Sequence, residues 1–294
     1  TLFEESYSIA SDPHGGFNRM VAINVEDATL VGADYPPIAH DANLGMSYFT
    51  YYSGSKGWWS ADNKTAHFVD YSRDNKSRSV VQFNTDTGAV QALFTETTDT
   101  VFKADVCFLK VCPDTNELFW LSNPDGWPHL YLYDFKTGKL KKQLTQGDWA
   151  VRDIIHIDTA NREVILMTGG RVEGRDPYYR EVVKVNIDTG ELISLASSNH
   201  DYSAITVSPS GQYFTATRSR IDVAPACIIF DGKGDIDRAQ KVVEAADITG
   251  LPENWHWPEP VTLKAADGET TIYGAVFRPT HFDPNKKYPV LEHT

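Results

Sequence analysis

The stretch from Glu117 to Val151, ELFWLSNPDGWPHLYLYDFKTGKLKKQLTQGDWAV, decides the fold. It places three strand candidates between two sharp turns. Glu117–Ser122 is a short apolar run rich in aromatics. Asn123-Pro-Asp-Gly126 turns the chain, because Pro presets φ and Gly accepts a positive φ. His129–Asp134 then alternates, with Leu130 and Leu132 on one face and Tyr131 and Tyr133 on the other. Lys136-Thr-Gly138 turns again, Lys139–Thr145 leaves as a solvated outer strand, and Gln146-Gly-Asp148 ends the unit. No helix of ordinary length fits, so the window reads as an antiparallel meander.

The same elements recur outward from it. On the N-terminal side, Trp58–Asn63 leads into the apolar Ala66–Val69, a polar turn at 72–76 and a strand at Ser79–Phe83. The turn Asp86-Thr-Gly88 and the outer strand Val90–Phe94 follow. On the C-terminal side a third round runs through Glu163–Thr168, the long loop Gly169–Pro177, Glu181–Ile187, the turn Asp188-Thr-Gly190 and Glu191–Leu195. A fourth opens at Val207–Gly211 and continues through Tyr213–Thr217, a turn at Asp222–Pro225, and Cys227–Phe230. The turn glycines Gly88, Gly138 and Gly190 lie 50 and 52 residues apart, and the earlier turns at Asp62, Asp114, Ala160 and Ser210 lie 52, 46 and 50 apart. Four strands at that period match propeller blades of about 40–50 residues each. A sandwich gives no reason for the longer self-similarity. The expectation is an all-β chain, a partial β-propeller of about five four-stranded blades, with the weakest repeat signal in residues 1–57. Phe17–Val25 is expected there as one strand.

From Leu251 the pattern changes. Leu251–Pro260 is a Pro- and Trp-rich connector, and Val261–Lys264 with Thr271–Phe277 forms a hairpin around Ala266-Asp-Gly268. Pro289–Glu292 reads as one more strand. The domain division is therefore a propeller segment over 1–254 and a connector with a different fold over 255–294.

Composition narrows the partners. Net charge is −13, with 27 basic against 40 acidic residues. Nucleic acid and anionic membrane surfaces demand clustered Lys and Arg, so neither is expected. No apolar run approaches the about 18 residues needed to span a bilayer. The first residues, Thr-Leu-Phe-Glu-Glu, carry no initiator Met and no signal pattern, as expected of a chain that starts inside something longer or after a removed leader. Cys107, Cys112 and Cys227 read as buried free thiols. The sequons Asn63-Lys-Thr and Asn75-Lys-Ser matter only in a secreted eukaryotic protein.

Several pieces, in order, resemble the prolyl oligopeptidase family of serine peptidases, closest to its dipeptidyl-peptidase IV branch. Asp125–Tyr133, Leu144–Val151 and Tyr202–Pro209 are similar to its late propeller blades. Val261–Gly268, Ile272–Pro279 and Phe282–Val290 are similar to the opening of its α/β-hydrolase domain. The resemblance covers roughly Trp58 to Thr294. It implies that residues 255–294 are the first strands of an α/β-hydrolase domain, with nucleophile, acid and base beyond residue 294. It also implies a periplasmic or secreted protein that handles peptide substrates. A fragment of this kind has no peptidase chemistry of its own, needs no cofactor or metal, and exposes blade faces that favour a homodimer or a mobile N-terminal segment. A stand-alone propeller acting as a binding or scaffold module is the alternative.

The residues that carry chemistry are few. Ser53-Gly-Ser-Lys-Gly57 misses the G-x-S-x-G elbow and reads as a turn. No P-loop, HExxH or CxxC occurs. His129 and His156 fall in strand patterns and read as structural. His200-Asp201 suggests a triad pair, but strand capping explains it better. Phe102 and Lys103 sit where the branch carries an aromatic and a basic residue lining the substrate cavity, although Lys lacks the bidentate donors of Arg. Glu4-Glu5 is similar in composition to the branch's pair of glutamates that grips a substrate ammonium. It lies under twenty residues from Phe17, far closer than in the branch, and reads as an exposed end.

Overall fold

The computed structural model describes residues 17–39, 59–60, 62–72, 74–102, 108–196, 198–233 and 241–293. Among them no α-helix occurs, and the one helical element is a 3-10 turn at Pro113–Thr115. Four short strands come first: β1 (Phe17–Asn18), β2 (Val21–Ile23), β3 (Leu30–Gly32) and β4 (Ile38–Ala39). β1 pairs with β4, and β2 pairs with β3. The single strand expected over Phe17–Val25 is thus broken in two, because its halves hydrogen-bond to different partners.

Next comes a three-stranded sheet of β5 (Thr65–Tyr71), β6 (Ser77–Asn84) and β7 (Val90–Thr97), with Trp59 bridged to Ala66 where a fourth strand would begin. Three four-stranded antiparallel sheets follow in sequence order. They are β8 (Phe108–Cys112), β9 (Glu117–Ser122), β10 (His129–Asp134) and β11 (Leu140–Gln143); then β12 (Ala150–Asp158), β13 (Glu163–Gly169), β14 (Glu181–Asn186) and β15 (Leu192–Ala196); then β16 (Asp201–Val207), β17 (Phe214–Arg220), β18 (Val223–Phe230) and β19 (Lys241–Ala245). These are the blades of a partial β-propeller.

Two local expectations fail. The turn placed at Asp222–Pro225 is shorter, because Arg220 pairs directly with Val223 and Pro225 lies inside β18. Pro289–Glu292 is not a strand: Val290 and Leu291 are 89% and 97% exposed, with no neighbouring strand to receive their backbone groups. The expected hairpin forms as β20 (Glu259–Lys264) with β21 (Thr271–Val276).

One six-residue turn is repeated. In Asn84–Ala89 the Asn84 amide donates to Ala89 O, Gly88 N donates to Asn84 O, and Asn84 Oδ1 accepts from the amides of Asp86 and Thr87. Asp134–Lys139 and Asn186–Glu191 repeat each of these bonds. Asn24–Thr29 repeats all but the last, with Ala28 at φ 59° where the others have glycine. A Cβ on Gly138 would meet Leu93 O at 2.2 Å, and one on Gly88 would meet Gly32 O at 2.5 Å. Each of these two turns packs its glycine against backbone of an earlier strand, which is why the residue cannot carry a side chain there.

The chain divides into two compact units, residues 1–164 with 185–192 and residues 165–184 with 193–294. The first buries Val69, Val80, Leu109, Leu118, Trp120 and Phe135 in one cluster spanning β5 to β10. The second buries Leu166, Val183, Tyr202, Phe214 and Ile228, each no more than 2% exposed.

Candidate functional site

In the first unit the repeated turns close one end of the strands. At the opposite end β6 begins, β7 and β9 finish, and a buried arginine joins them. Arg78 lies in phase with Val80 on the inward face of β6, and its side chain has no exposed surface. Its Nε donates to Glu96 Oε2 at 2.9 Å, and its Nη2 donates to Ser122 Oγ at 3.0 Å and to Leu121 O at 3.3 Å. Ser122 Oγ donates in turn to Glu96 Oε2 at 2.9 Å. The guanidinium carbon lies 4.2 Å from the centre of the Phe102 ring and 4.7 Å from that of Trp120. Removing an ion from water costs several kcal/mol. Here a carboxylate, a hydroxyl, a carbonyl and two π faces offset that cost, and a desolvated cation–π contact contributes about 2 kcal/mol.

Tyrosines line the same cluster. Tyr133 stacks on Phe94 with centroids 4.1 Å apart, and burial, then the nearby Glu96 carboxylate, pushes its phenol upward. Burial, with Asp125 and Glu96, raises Tyr131 to about 12. Both are neutral hydroxyls at any ordinary pH.

Of the residues the sequence singles out, Phe102 belongs to this cluster, 5% exposed beneath the arginine. Lys103, Glu4, Glu5 and the 53–57 turn lie outside the described residues, as does Cys107. Cys112 and Cys227 are free thiols, half-buried. His129 is structural: Gly147 O can only accept, so Nε2 carries the proton. Nδ1 then accepts from Thr145 Oγ1, which itself accepts the Leu130 amide. Asp201 is engaged by Arg180 through paired bonds of 2.8 and 2.6 Å and also accepts the Arg180 amide, which ties the start of β16 to the 170–180 loop. Arg78, Glu96 and Ser122 were not singled out. The available signal was an arginine in register with the buried valines of an alternating strand.

In the second unit the long 170–180 loop is tied down by its own arginines. Arg171 pairs with the buried Glu181, which also accepts from Ser194 Oγ at 2.5 Å. Arg175 donates to the carbonyls of Arg180 and His200. Tyr178 stands out at the tip, 70% exposed.

Residues 45–225 match the family described as the dipeptidyl peptidase IV (DPP IV) N-terminal region. The chain belongs to this family. Within the DPP IV family, it is 28% identical over 176 residues to dipeptidyl peptidase 4 of Trichophyton tonsurans, a match that takes in 58% of this chain and 22% of that protein. The enzyme of the same name from Trichophyton equinum is 28% identical over 175 residues, again with 58% and 22% coverage. The solved dipeptidyl peptidase 4 of Porphyromonas gingivalis superposes with a TM-score of 0.69 at 18% identity, covering 92% of this chain and 36% of that one. The chain thus spans well under half the length of these DPP IV relatives, and at this identity the structural likeness shows the fold alone. Among the described residues no helix is long and apolar enough to cross a membrane.

Proposed function

We propose that the chain is the non-catalytic propeller portion of a DPP IV-like serine peptidase. In this reading it gates and positions peptide substrates for a hydrolase domain whose nucleophile, acid and base lie beyond residue 294, and the whole protein works in a periplasm or outside the cell. The observation that carries the reading is the match to the DPP IV N-terminal region over 45–225, which contains three of the four repeated turns and the Arg78 cluster. The physical role is that of a lid: a rigid propeller over a reaction face excludes folded proteins and water while short peptides reach the chemistry. The β20–β21 hairpin, outside every four-stranded sheet, supports a second fold beginning near residue 259.

The test compares the 294-residue chain with the whole gene product on a dipeptide nitroanilide, and on a folded protein bearing the same N-terminal dipeptide. The expected result is turnover of the small substrate by the whole product, little of the folded one, and none of either by the chain alone. Turnover by the purified chain, or equal cleavage of both substrates, would overturn the proposal.

A further inference from the structure

Stability alone gives no reason for an arginine at position 78. Replacing a buried ion pair by apolar side chains of similar volume is often neutral or stabilising. A guanidinium differs from such a side chain in its flat charged plane and fixed donor directions. Both features are used here. Nε and Nη2 are committed to Glu96, Ser122 and Leu121 O, so the plane is held at one angle, and its carbon lies 4.2 Å from the centre of the Phe102 ring. The segment between β7 and Phe102 is clamped at each end to the 72–76 turn. Thr98 N donates to Lys76 O at 2.9 Å, and Phe102 N donates to Asn75 O at 2.7 Å. Two backbone bonds and one ring on a cation thus define a strap, residues 98–102, across the strand ends.

We infer that Arg78 is a positioning residue: it fixes the 98–102 strap, and with it the point from which the chain continues past Phe102, at the end of the first unit's strands opposite the repeated turns. Its functional consequence rests on the proposed reading of the chain as the part that positions peptide substrate, and assigns that role to this end. The fork reads two backbone-rigid strands, β7 through Glu96 and β9 through Ser122, and passes their geometry to the strap through Phe102. A lysine keeps the charge for Glu96 but loses the plane and the second donor direction. A methionine keeps the bulk and loses everything else.

Arg78→Met and Arg78→Lys are the variants, each read in two ways. Amide hydrogen exchange is followed at Thr98 and Phe102 of the strap, and at Val80 and Leu118 as core references. In Arg78→Met the strap amides are expected to exchange about tenfold faster or more while the references hold, the signature of local opening. Arg78→Lys falls between that variant and the parent. In the whole gene product, KM for the dipeptide nitroanilide is expected to rise about threefold or more in Arg78→Met with kcat within about twofold, a loss of binding without loss of chemistry. Unchanged exchange at Thr98 and Phe102 overturns the inference, and so does a uniform rise across β5 to β11, which marks a purely structural arginine. Faster strap exchange with an unmoved KM leaves the hold on the strap standing and overturns instead the peptide-facing role of this end.

Discussion

The connections at the two ends of the strands obey different rules. At the turn end the three connections built on the repeated motif, β6–β7, β10–β11 and β14–β15, are each joined by five residues, 85–89, 135–139 and 187–191, whereas β18–β19, which lacks the motif, takes ten. At the loop end, β5–β6, β9–β10, β13–β14 and β17–β18 are joined by five, six, eleven and two residues. In two of these three turns the length goes with close packing. Gly138 sits on the backbone of β7 and Gly88 on that of β3, so a longer or bulkier turn has nowhere to go. At the loop end Gly126, at φ 94° in the β9–β10 connection, has nothing within 4 Å of a Cβ, and Gly147 between β11 and β12 meets only the Trp149 side chain. Order there is supplied instead by arginines: Arg78 in the first unit, and Arg171, Arg175 and Arg180 in the second. The scaffold is specified by a repeated backbone motif, and the variable end by individual charged side chains.

The sharpest way to break this contrast is to put the same methyl group at each end. Gly138→Ala adds a left-handed penalty of about 1–2 kcal/mol to about 1–3 kcal/mol for displacing the β7 backbone. A loss near 3 kcal/mol is expected in urea unfolding. Gly126→Ala carries only the first penalty, about 1–2 kcal/mol. Equal losses would show that the turn end is no more constrained than the loop end.

A second perturbation weakens the turn end electrostatically. Arg162 donates to both oxygens of the buried Glu117 at 2.8 and 2.7 Å and to Asp188 in the repeated turn. Burial opposes ionisation of Glu117, but the guanidinium outweighs it and holds the carboxyl below its usual range. Glu117→Gln is expected to cost about 2 kcal/mol at neutral pH, less than a fully buried pair because Arg162 keeps Asp188 and some solvent. The sign with pH follows from linkage. A depressed carboxyl stabilises the fold above the ordinary glutamate value of about 4.3 and loses that contribution as pH falls through the folded value. Urea midpoints of parent and variant should therefore converge below pH 4, and a gap that persists there would contradict the assignment. At the loop end the sign is opposite. Tyr131, raised to about 12, gives a contribution that is complete below about pH 10 and disappears as pH climbs through 12.

The smallest effect is a gain. Ala28 holds at φ 59° the place that glycine holds in the other three copies of the turn. Ala28→Gly removes about 1–2 kcal/mol of left-handed strain and returns about 0.5–1 kcal/mol in unfolded-state entropy. A net stabilisation of about 0.5–1 kcal/mol is expected, and a loss would exclude Asn24–Thr29 as a copy of the motif.

Much of the scaffold was legible in the sequence because its signals are local. The Asp-Thr-Gly and Lys-Thr-Gly turns gave the period, and the alternation of His129–Asp134 gave β10 to the residue. The copy at Asn24–Thr29 was missed because it lacks the glycine by which the motif was recognised. The break in Phe17–Val25 was invisible because alternation reports a strand's faces and not its partners. The loop end was harder to read for a related reason. Arg78, Glu96 and Ser122 are separated by 18 and 26 residues; the first two meet through β6–β7 register and the third comes from another sheet, so no local pattern announces the cluster. Phe102 was picked out by family resemblance; its burial against Arg78 depends on the strap bonds to Asn75 and Lys76, which no local pattern announces.

Hydrogen exchange on the whole gene product, with and without a slowly cleaved peptide, tests the central claim most directly. Added protection is expected in the loop-end segments 72–76, 98–102 and 123–128, with none at 85–89, 135–139 and 187–191. Protection confined to those five-residue turns, or spread equally over both ends, would contradict a scaffold end and a peptide-facing end in this chain.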